Sequence, residues 1–344
     1  IIGGIGVGLA SMLSPLYIAE IAPADIRGKL VSLNQFAIIF GMLVVYFVNY
    51  FIASQGDETW LNQTGWRWMF ASETIPAGIF LLLLLFVPDT PRSLVLKSKS
   101  EKALEVLTRI NGSNQAKVVL KEIQGTVVHH SGKLFSFGFK VILIGMLLSI
   151  FQQFVGINVV LYYAPEIFKS MGANTDIALL QTIIVGSVNL IFTVLAIMTV
   201  DRFGRKPLMI VGALGMGISM FALGFSFFSS AIGIFALICM LLYVASFAMS
   251  WGPVTWVLLS EIFPNRIRGR AMAIAVAAQW ISNYLVSWTF PMMDKNSFLI
   301  EKFNHGFAYW IYGVMAILAM FMVWKFVPET KGKTLEEMER VWKK

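Results

Sequence analysis

Nine long apolar runs dominate this sequence. They lie near residues 1–21, 30–53, 66–87, 139–167, 177–200, 206–229, 232–259, 270–291 and 306–327. A hydrocarbon core of about 30 Å is crossed by roughly 20 helical residues, so each run is long enough to span a membrane. None of the runs alternates as a barrel strand does, and backbone groups in lipid must then be satisfied within helices. The sequence therefore predicts an all-α polytopic membrane protein with nine transmembrane helices.

Composition agrees with a membrane protein and excludes several other classes. The 344 residues are 57% hydrophobic and 13% charged, whereas soluble domains are about a quarter charged. Cys239 is the single cysteine, and the three histidines lack metal-ligand spacing, so we expect no metal site and no cofactor. The net charge of +8 is spread over the loops between spans rather than over one soluble face, so we expect no nucleic-acid partner.

The loop charges predict an orientation in the bilayer. Of the 27 Lys and Arg residues, all but Arg67, Lys169, Lys295 and Lys302 fall in one set of alternate segments. Positive residues accumulate on the cytoplasmic side of a membrane. We therefore expect a cytoplasmic C-terminus and, with nine spans, Ile1 on the outside.

Two short segments recur at nearly one offset. The stretch from Glu20 to Lys29 matches the stretch from Glu261 to Arg270, and Val87-Pro-Asp-Thr90 matches Val327-Pro-Glu-Thr330 about 240 residues later. Two matches at one offset indicate two parallel copies of one helical unit, as in major facilitator carriers.

The repeat also predicts a domain organisation. It divides the chain into a three-span part of the N-terminal half at 1–87, a cytoplasmic linker with short amphipathic helices at 88–138, a complete six-helix half at 139–327 and a cytoplasmic tail at 328–344. Since the first copy shows three spans and the second shows six, we expect about three further helices, roughly a hundred residues, before Ile1.

Several motifs resemble the sugar porter family of the major facilitator superfamily. They are Ser14-Pro-Leu-Tyr17, Gln152-Gln-Phe-Val-Gly-Ile-Asn158, Asp201-Arg-Phe-Gly-Arg205, Trp251-Gly-Pro-Val-Thr-Trp256 and Pro328-Glu-Thr-Lys-Gly332. One motif departs from the family, because Pro88-Asp-Thr-Pro-Arg92 is followed by Ser93 where the family has an aromatic residue. The resemblance covers the whole chain and implies a major facilitator fold with two six-helix halves.

The function that this resemblance implies is sugar transport by alternating access in a bacterial plasma membrane. Within the family it implies symport of D-xylose or a similar monosaccharide with a proton. In related carriers the proton-carrying Asp and its neighbouring Arg would lie before Ile1, so symport depends here on the resemblance alone. A sugar or polyol uniporter and a membrane sugar receptor without transport remain as alternatives. An enzyme is disfavoured, since the sequence lacks nucleophile motifs and metal spacings.

Amide side chains inside the spans are candidate sugar ligands. They are costly in a membrane unless they find partners or line a wet cavity, and an amide both donates and accepts hydrogen bonds, as a sugar hydroxyl does. Trp faces can pack against the C–H face of a sugar ring. The candidate set is Gln35, Gln152, Gln153, Asn158, Tyr162, Asn189, Trp256, Gln279 and Trp280, with Asn283 one turn beyond Gln279. The alternative for any one amide is that it joins two helices.

Charged residues gather at the predicted cytoplasmic ends of the spans. They are Glu20, Arg27, Asp201, Arg202, Arg205, Glu261, Arg268 and Glu329. The resemblance implies ion-pair networks that close an inner gate, and the alternative is a solvated positive rim.

Glu73 is a carboxylate well inside a span and therefore a candidate for proton coupling. An ion pair with Arg67 is the other interpretation of Glu73. Gly252-Pro253 predicts an interruption of one span.

Overall fold

The computed structural model describes residues 2–22, 27–128, 135, 137–230, 233–264, 267–331 and 342 of the chain. Within these ranges the secondary structure is helical and contains no strand. The chain divides into two compact units, and α2 contributes residues to both of them.

Unit 1 consists of Ile1–Ala37 and Gln55–Lys133. Its helices are α1 Ile2–Ile21, the first part of α2 Arg27–Ala53, α3 Glu58–Trp60, a π-helical turn Leu61–Gly65, α4 Trp66–Ser72, α5 Thr74–Leu84, α6 Pro91–Leu96 and α7 Ser100–Val128. The last two helices lie in the predicted linker. Ala103 and Leu107 are buried along one face of α7, while its charged residues are exposed.

Unit 2 consists of Ile38–Ser54 and Leu134–Lys344. After the second part of α2 its helices are α8 Phe139–Phe154, α9 Ile157–Tyr162, α10 Ala164–Ser170, α11 Thr175–Phe203, α12 Arg205–Phe228, α13 Ile234–Met249, α14 Trp251–Ile262, α15 Arg268–Asp294, α16 Ser297–Phe303 and α17 Phe307–Phe326. Helix α12 packs on α13 and α17, and α8 packs on α15. The core between them is apolar and includes the fully buried Trp251, Tyr243 and Tyr309.

Seven segments of the described chain are long and apolar enough to cross a membrane. They are Leu33–Ala53, Glu58–Leu84, Phe139–Tyr162, Thr175–Val200, Arg205–Phe228, Ile234–Ile262 and Phe307–Phe326. The predicted span at 270–291 is absent from this set although α15 is 27 residues long. The reason is its composition, since α15 carries Arg268, Gln279 and Asn283. The first predicted run corresponds to α1, in which Ile2–Ser11 counts as a shorter apolar helix among the described residues. The count of nine stays a prediction.

Two of the long spans in unit 2 are interrupted. Helix α8 gives way to α9 at Gly156, whose φ of 91° lies in the left-handed region that favours glycine. A Cβ at this position would stand 2.7 Å from the ring of Tyr312, so glycine is also required by space. The hydroxyl of Tyr243 donates to the carbonyl oxygen of Val155 at 2.7 Å and satisfies the broken helix end.

The second interruption lies close to the predicted one. Ser250, with φ −135° and ψ −89°, separates α13 from α14, so the break precedes Gly252-Pro253 rather than falling on it. Pro253 sits in the first turn of α14, where a helix has no intrahelical acceptor for its N–H groups. The prediction of an interrupted span is right in kind and misplaced by two residues, because proline is tolerated once the helix has restarted.

Candidate functional site

Gln152 is the most tightly held of the candidate amides. It lies on α8, is 3% exposed, and donates from Nε2 to the carbonyl oxygens of Trp251 at 2.9 Å and Gly252 at 3.3 Å. Trp251 is itself fixed, because its indole Nε1 donates to the carbonyl of Met209 at 2.9 Å. The side chain of Gln152 is thereby anchored on the restart of α14. Its Oε1 is buried and has no hydrogen-bond partner in the described part of the chain.

Gln153 has the opposite arrangement. It is 5% exposed, and its Oε1 accepts a 2.6 Å hydrogen bond from Nδ2 of Asn158 across the interruption at Gly156. Because its oxygen is already engaged by Asn158, the N–H groups of Gln153 are directed elsewhere. Within the described part of the chain, adjacent residues of α8 therefore offer an acceptor on Gln152 without a partner and N–H groups on Gln153 for which no hydrogen bond is seen.

The remaining amides of unit 2 are buried on neighbouring helices. Gln279 and Asn283 lie on α15, which packs against α8 and α9, and Asn283 accepts from the Ser287 hydroxyl at 3.1 Å. Asn189 lies on α11 and is 3% exposed. The side-chain oxygens of Gln279 and Asn189 have no hydrogen-bond partner among the described residues. Buried polar atoms of this kind call for a physical explanation such as a ligand or water.

The aromatic candidates are more accessible than the amides. Trp256 is half-buried, Trp280 is 38% exposed and Tyr162 is 52% exposed. Gln35 is half-buried in unit 1. Within the described ranges no hydrogen bond links these four side chains to the amide group, and their assignment to a sugar site stays a prediction.

A second polar cluster lies where α12 begins and α14 ends. The guanidinium of Arg205 contacts Glu261 twice, with Nη2 at 2.9 Å from Oε1 and Nε at 3.2 Å from Oε2. The hydroxyl of Thr330 donates to the same carboxylate at 2.5 Å. The two charged side chains are only 11% and 26% exposed, so the pair is screened less than a surface salt bridge.

Glu329 joins the segment after α17 to the start of α12. Its carboxylate accepts from the backbone N–H groups of Arg205, Lys206, Thr330 and Lys331 at 2.9–3.1 Å. Burial opposes ionisation of Glu329, yet these four donors hold the pKa of its carboxyl below the ordinary value. The anion also faces the positive end of the α12 dipole.

The short connection between α11 and α12 is shaped for this contact. Gly204 has φ 90°, and a Cβ there would stand 2.9 Å from Oε2 of Glu329. The ammonium of Lys331 donates to the carbonyl of Arg202 at 2.7 Å, at the negative end of α11. The residues that follow α17 therefore place the carboxylate of Glu329 at the start of α12 and the ammonium of Lys331 at the end of α11.

Unit 1 contains the repeat-related counterpart. The hydroxyl of Thr90 donates to Oε2 of Glu20 at 2.5 Å, and the hydroxyl of Tyr17 donates to the carbonyl of Pro88 at 3.0 Å. Asp89, at the position equivalent to Glu329, instead pairs with Lys97 at 2.9 Å. Thr90 also caps the start of α6 by accepting from the N–H of Ser93.

The structure describes the side chains of only two of the other predicted gating residues, Arg202 and Arg268. Arg202 is exposed, with its guanidinium 5.9 Å from the ring centroid of Phe203, and Arg268 is half-buried at the start of α15. The side chains of Arg27 and Asp201 lie outside the described residues. His129 and His130 lie outside them as well.

Glu73 is exposed at the junction of α4 and α5. Among the ion pairs of the described residues, none joins it to Arg67. The guanidinium of Arg67 lies 4.5 Å from the ring centroid of Trp66 and donates to the carbonyl of Gln63. The predicted alternative of an Arg67–Glu73 pair is not seen, because Arg67 turns back onto its own helical turn.

Sequence reasoning did not single out Tyr243, Tyr312, Gly156, Thr90 or Thr330. The first three define the break between α8 and α9, and the two threonines donate hydrogen bonds to the carboxylates of Glu20 and Glu261. A signal was present for the threonines, since both belong to the repeated Val-Pro-acid-Thr segment. Nothing in the local sequence marks Tyr243, whose partner is a backbone carbonyl 88 residues away.

Comparison with known proteins gives a consistent set of relatives. The family described as "Sugar (and other) transporter" matches residues 1–342. The D-xylose-proton symporter of Escherichia coli (strain K12) is 68% identical over 345 residues, covering 99% of this chain and 70% of the relative. The glucose facilitated diffusion protein of Zymomonas mobilis is 46% identical, covering 99% of this chain and 73% of the relative.

The same similarity extends to a solved structure. The major facilitator proton:xylose symporter XylE, bound to 6-bromo-6-deoxy-D-glucose, superimposes with a TM-score of 0.86 at 68% identity, covering 99% of this chain and 72% of that chain. The all-helical fold expected from the apolar runs and the repeat is thereby confirmed as a major facilitator fold.

Proposed function

Because the chain belongs to the family of sugar (and other) transporters, we propose that it carries D-xylose or a similar monosaccharide across a membrane together with a proton. The protein is a carrier and not an enzyme, and it works by alternating access as other major facilitator symporters do. Its membrane-spanning helices make it an integral membrane protein. The bacterial inner membrane is the location that its relatives support.

The amide pair at Gln152 and Gln153 carries the sugar assignment. In this buried pair the Oε1 of Gln152 has no hydrogen-bond partner among the described residues, and Gln153 makes there only the hydrogen bond that its Oε1 accepts from Asn158. A neutral polyol both donates and accepts at each hydroxyl, so it matches such a pair better than an anion or a cation does. A helix-joining amide would use both ends within the protein, and these two do not.

The other proposed binding residues are supported by fewer hydrogen bonds among the described residues. The unpartnered oxygens of Gln279 and Asn189 are suited to accept from sugar hydroxyls, and Asn158 is held beside Gln153 with one N–H already engaged. Trp256, Trp280 and Tyr162 are proposed to contact the ring, because their faces are partly accessible. Gln35 is proposed as a further ligand from the sequence alone.

The polar cluster around Glu261 is proposed as part of an inner gate. Within unit 2 it ties the start of α12 and the end of α14 to the segment after α17, through Arg205 and Thr330. Ion pairs that are complete in one state and broken in another give the two-state element that a switch needs. Glu20 with Arg27, and Asp201 with Arg202, Arg268 and Glu329, are proposed to serve the same gate.

The membrane placement is proposed from the charge distribution. Nine spans, a cytoplasmic linker at 88–138 and a cytoplasmic tail from residue 328 agree with the loop charges. Seven of the nine spans are supported by apolar helices in the described chain. Glu73 is proposed as a coupling residue, because an exposed carboxylate in a span is a functional candidate.

A uniporter is the second candidate function. It is favoured by one observation, the 46% identity to a glucose facilitated diffusion protein. A uniporter would share the sugar site and the gate, and it would differ in moving sugar without a proton.

Counterflow in proteoliposomes tests the proposed function. The intact protein, reconstituted in vesicles loaded with unlabelled D-xylose, should accumulate labelled D-xylose transiently. An added inward proton gradient should drive net accumulation. Binding without counterflow would indicate a receptor. Counterflow with no net accumulation under the proton gradient would indicate a uniporter. Movement of neither pentoses nor hexoses would contradict the substrate class.

A further inference from the structure

Two adjoining grooves in unit 1 differ sharply in character. The first, of about 450 Å³, runs between α1 and α2 and is lined by apolar residues such as Ile18, Leu30 and Leu33. The second, of about 550 Å³, lies between the segment at 88–89 and α7 and is lined by apolar residues such as Leu94 and Val106 together with the charged side chains of Asp89, Lys99, Lys102, Glu105 and Arg109. Tyr17, Ile21 and Ile110 line both grooves, so the two adjoin; together they are called the channel here, the first groove being its apolar end and the second its polar end.

The polar end carries uncompensated positive charge. Both of its acids are neutralised locally, since Asp89 pairs with Lys97 at 2.9 Å and Glu105 pairs with Arg109 at 2.7 Å. Lys99 and Lys102 also line this end and are exposed, and neither takes part in an ion pair of the described chain. Two ammonium groups are therefore available to an anion.

The junction between the two ends is fixed. The ring of Tyr17 lines both grooves, and its hydroxyl donates to the carbonyl of Pro88 at 3.0 Å. A ligand that occupies both ends must pass this ring with an apolar part on one side and a charged part on the other.

We propose that this channel binds an anionic phospholipid, with the phosphate at Lys99 and Lys102 and an acyl chain along Ile18, Leu30 and Leu33. The proposal rests on the proposed membrane placement, which puts α1 and α2 in the bilayer and α7 at its cytoplasmic surface. Basic pockets at the cytoplasmic ends of spans attract acidic head groups in the leaflet where anionic lipids collect. A soluble phosphate would use the lysines and leave the apolar end without a function.

Native mass spectrometry of the purified intact protein with added phosphatidylglycerol tests the charged end. The change K99Q/K102Q should weaken phosphatidylglycerol binding roughly 25-fold, from about fivefold per lysine at an anionic membrane surface. The matched control is K117Q/K121Q, which removes the same charge from exposed positions outside the channel, beyond the non-helical Gly112 within α7. An equal loss in both variants would mean diffuse attraction and would overturn the site.

A second variant tests whether the apolar end of the channel binds an acyl chain. Ala37 is exposed on the wall of the first groove, so A37W should fill it and weaken phosphatidylglycerol binding at least fivefold with all charges retained. The control A71W places the same ring on an exposed position of α4 and should bind normally. Phosphatidylcholine should not compete in any of these variants.

Inorganic phosphate distinguishes a lipid from a soluble anion. Displacement of phosphatidylglycerol by phosphate at millimolar concentration, or normal lipid binding by A37W, would overturn the proposal in favour of a soluble ligand. D-xylose binding is measured on the same samples. If the unmodified protein binds D-xylose but no phosphatidylglycerol, only the lipid channel is wrong. If the unmodified protein does not bind D-xylose, the transporter assignment is wrong.

Discussion

The hydroxyl of Thr330 donates a 2.5 Å hydrogen bond to the Glu261 carboxylate, and the equivalent hydroxyl of Thr90 makes the same bond to Glu20 in unit 1. Each pair joins the end of one span to the segment that follows another. The repeat in the sequence thus appears in the structure as a repeated contact. In unit 2 the carboxylate of Glu261 also accepts from the guanidinium of Arg205, and among the described residues no guanidinium is seen on Glu20.

The first prediction concerns the fork between Arg205 and Glu261. Arg205→Lys keeps the positive charge but loses the two parallel N–H donors, because an ammonium group cannot match a carboxylate in this planar geometry. We expect greater access of thiol reagents to cysteines introduced at the start of α12 and the end of α14, and slower active uptake. Sugar affinity in detergent should stay within a few-fold.

The control for this prediction is Arg109→Lys, which alters an exposed ion pair with Glu105. It should leave accessibility and uptake unchanged, as exposed pairs contribute little. Unchanged accessibility in Arg205→Lys would count against a gate at Glu261.

The second prediction concerns Gln152 as a sugar ligand. Each neutral hydrogen bond contributes about 0.5–1.5 kcal/mol net, so Gln152→Ala should weaken D-xylose binding roughly two- to tenfold in isothermal titration. Gln181→Ala is the matched control, since Gln181 lies in a span and has a buried side-chain oxygen without a hydrogen-bond partner among the described residues, but is not a predicted ligand. If both variants lower the melting temperature and neither changes affinity, Gln152 is a helix-joining residue.

The third prediction concerns the break at Gly156. Alanine in the left-handed region costs roughly 1–2 kcal/mol, and at Gly156 the new Cβ would also meet the ring of Tyr312 at 2.7 Å. Gly172 has a similar φ of 93° with no heavy atom within 4 Å of an added Cβ. Gly156→Ala should therefore lower the melting temperature more than Gly172→Ala.

A further change separates the two contributions at this break. In a Tyr312→Ala background, Gly156→Ala should lower the melting temperature by less than it does in the unchanged protein, because the crowded ring is gone. Equal melting temperatures for the two single glycine variants would show that Tyr312 does not confine this position.

The fourth prediction is a pH dependence at Glu329. Four backbone N–H groups hold its pKa below the ordinary 4.5 despite burial. A carboxyl whose folded pKa is lowered stabilises the fold fully above the unfolded pKa, and that stabilisation is lost as pH falls through the folded pKa. The melting temperature of the unchanged protein should exceed that of Glu329→Gln near about pH 7, and the difference should shrink in acid. A difference that stays constant from neutral pH into acid would show that the ionised carboxylate does not stabilise the fold.

The contacts between Glu and Thr could be found from the sequence more readily than the break between α8 and α9. The repeated Glu and Thr positions could be found by self-comparison, because both members of each contact lie in repeated segments. The break at Gly156 depends on Tyr312 and Tyr243, which are distant in sequence and reach it only through packing. Long-range contacts of this kind leave no periodic signal.

The candidate site is predicted by residue type more than by geometry. An amide in a span is conspicuous because it is costly in lipid, so the sequence alone is enough to select Gln152, Gln153 and Asn158. Which atom of each amide is engaged could not be predicted, because it depends on the Trp251 carbonyl and on the bond between Gln153 and Asn158. Two further amides, Gln279 and Asn283, help to explain why α15 is less apolar than the other spans.

The most direct test of the central claim is proton movement driven by sugar alone. The intact protein is reconstituted in weakly buffered vesicles with no imposed gradient, and D-xylose is added outside while the external pH is recorded. The account predicts that the external medium becomes more alkaline as xylose enters with protons, and that Gln152→Ala needs a roughly two- to tenfold higher xylose concentration for the same response. Xylose entry with no change of external pH would contradict proton-coupled symport.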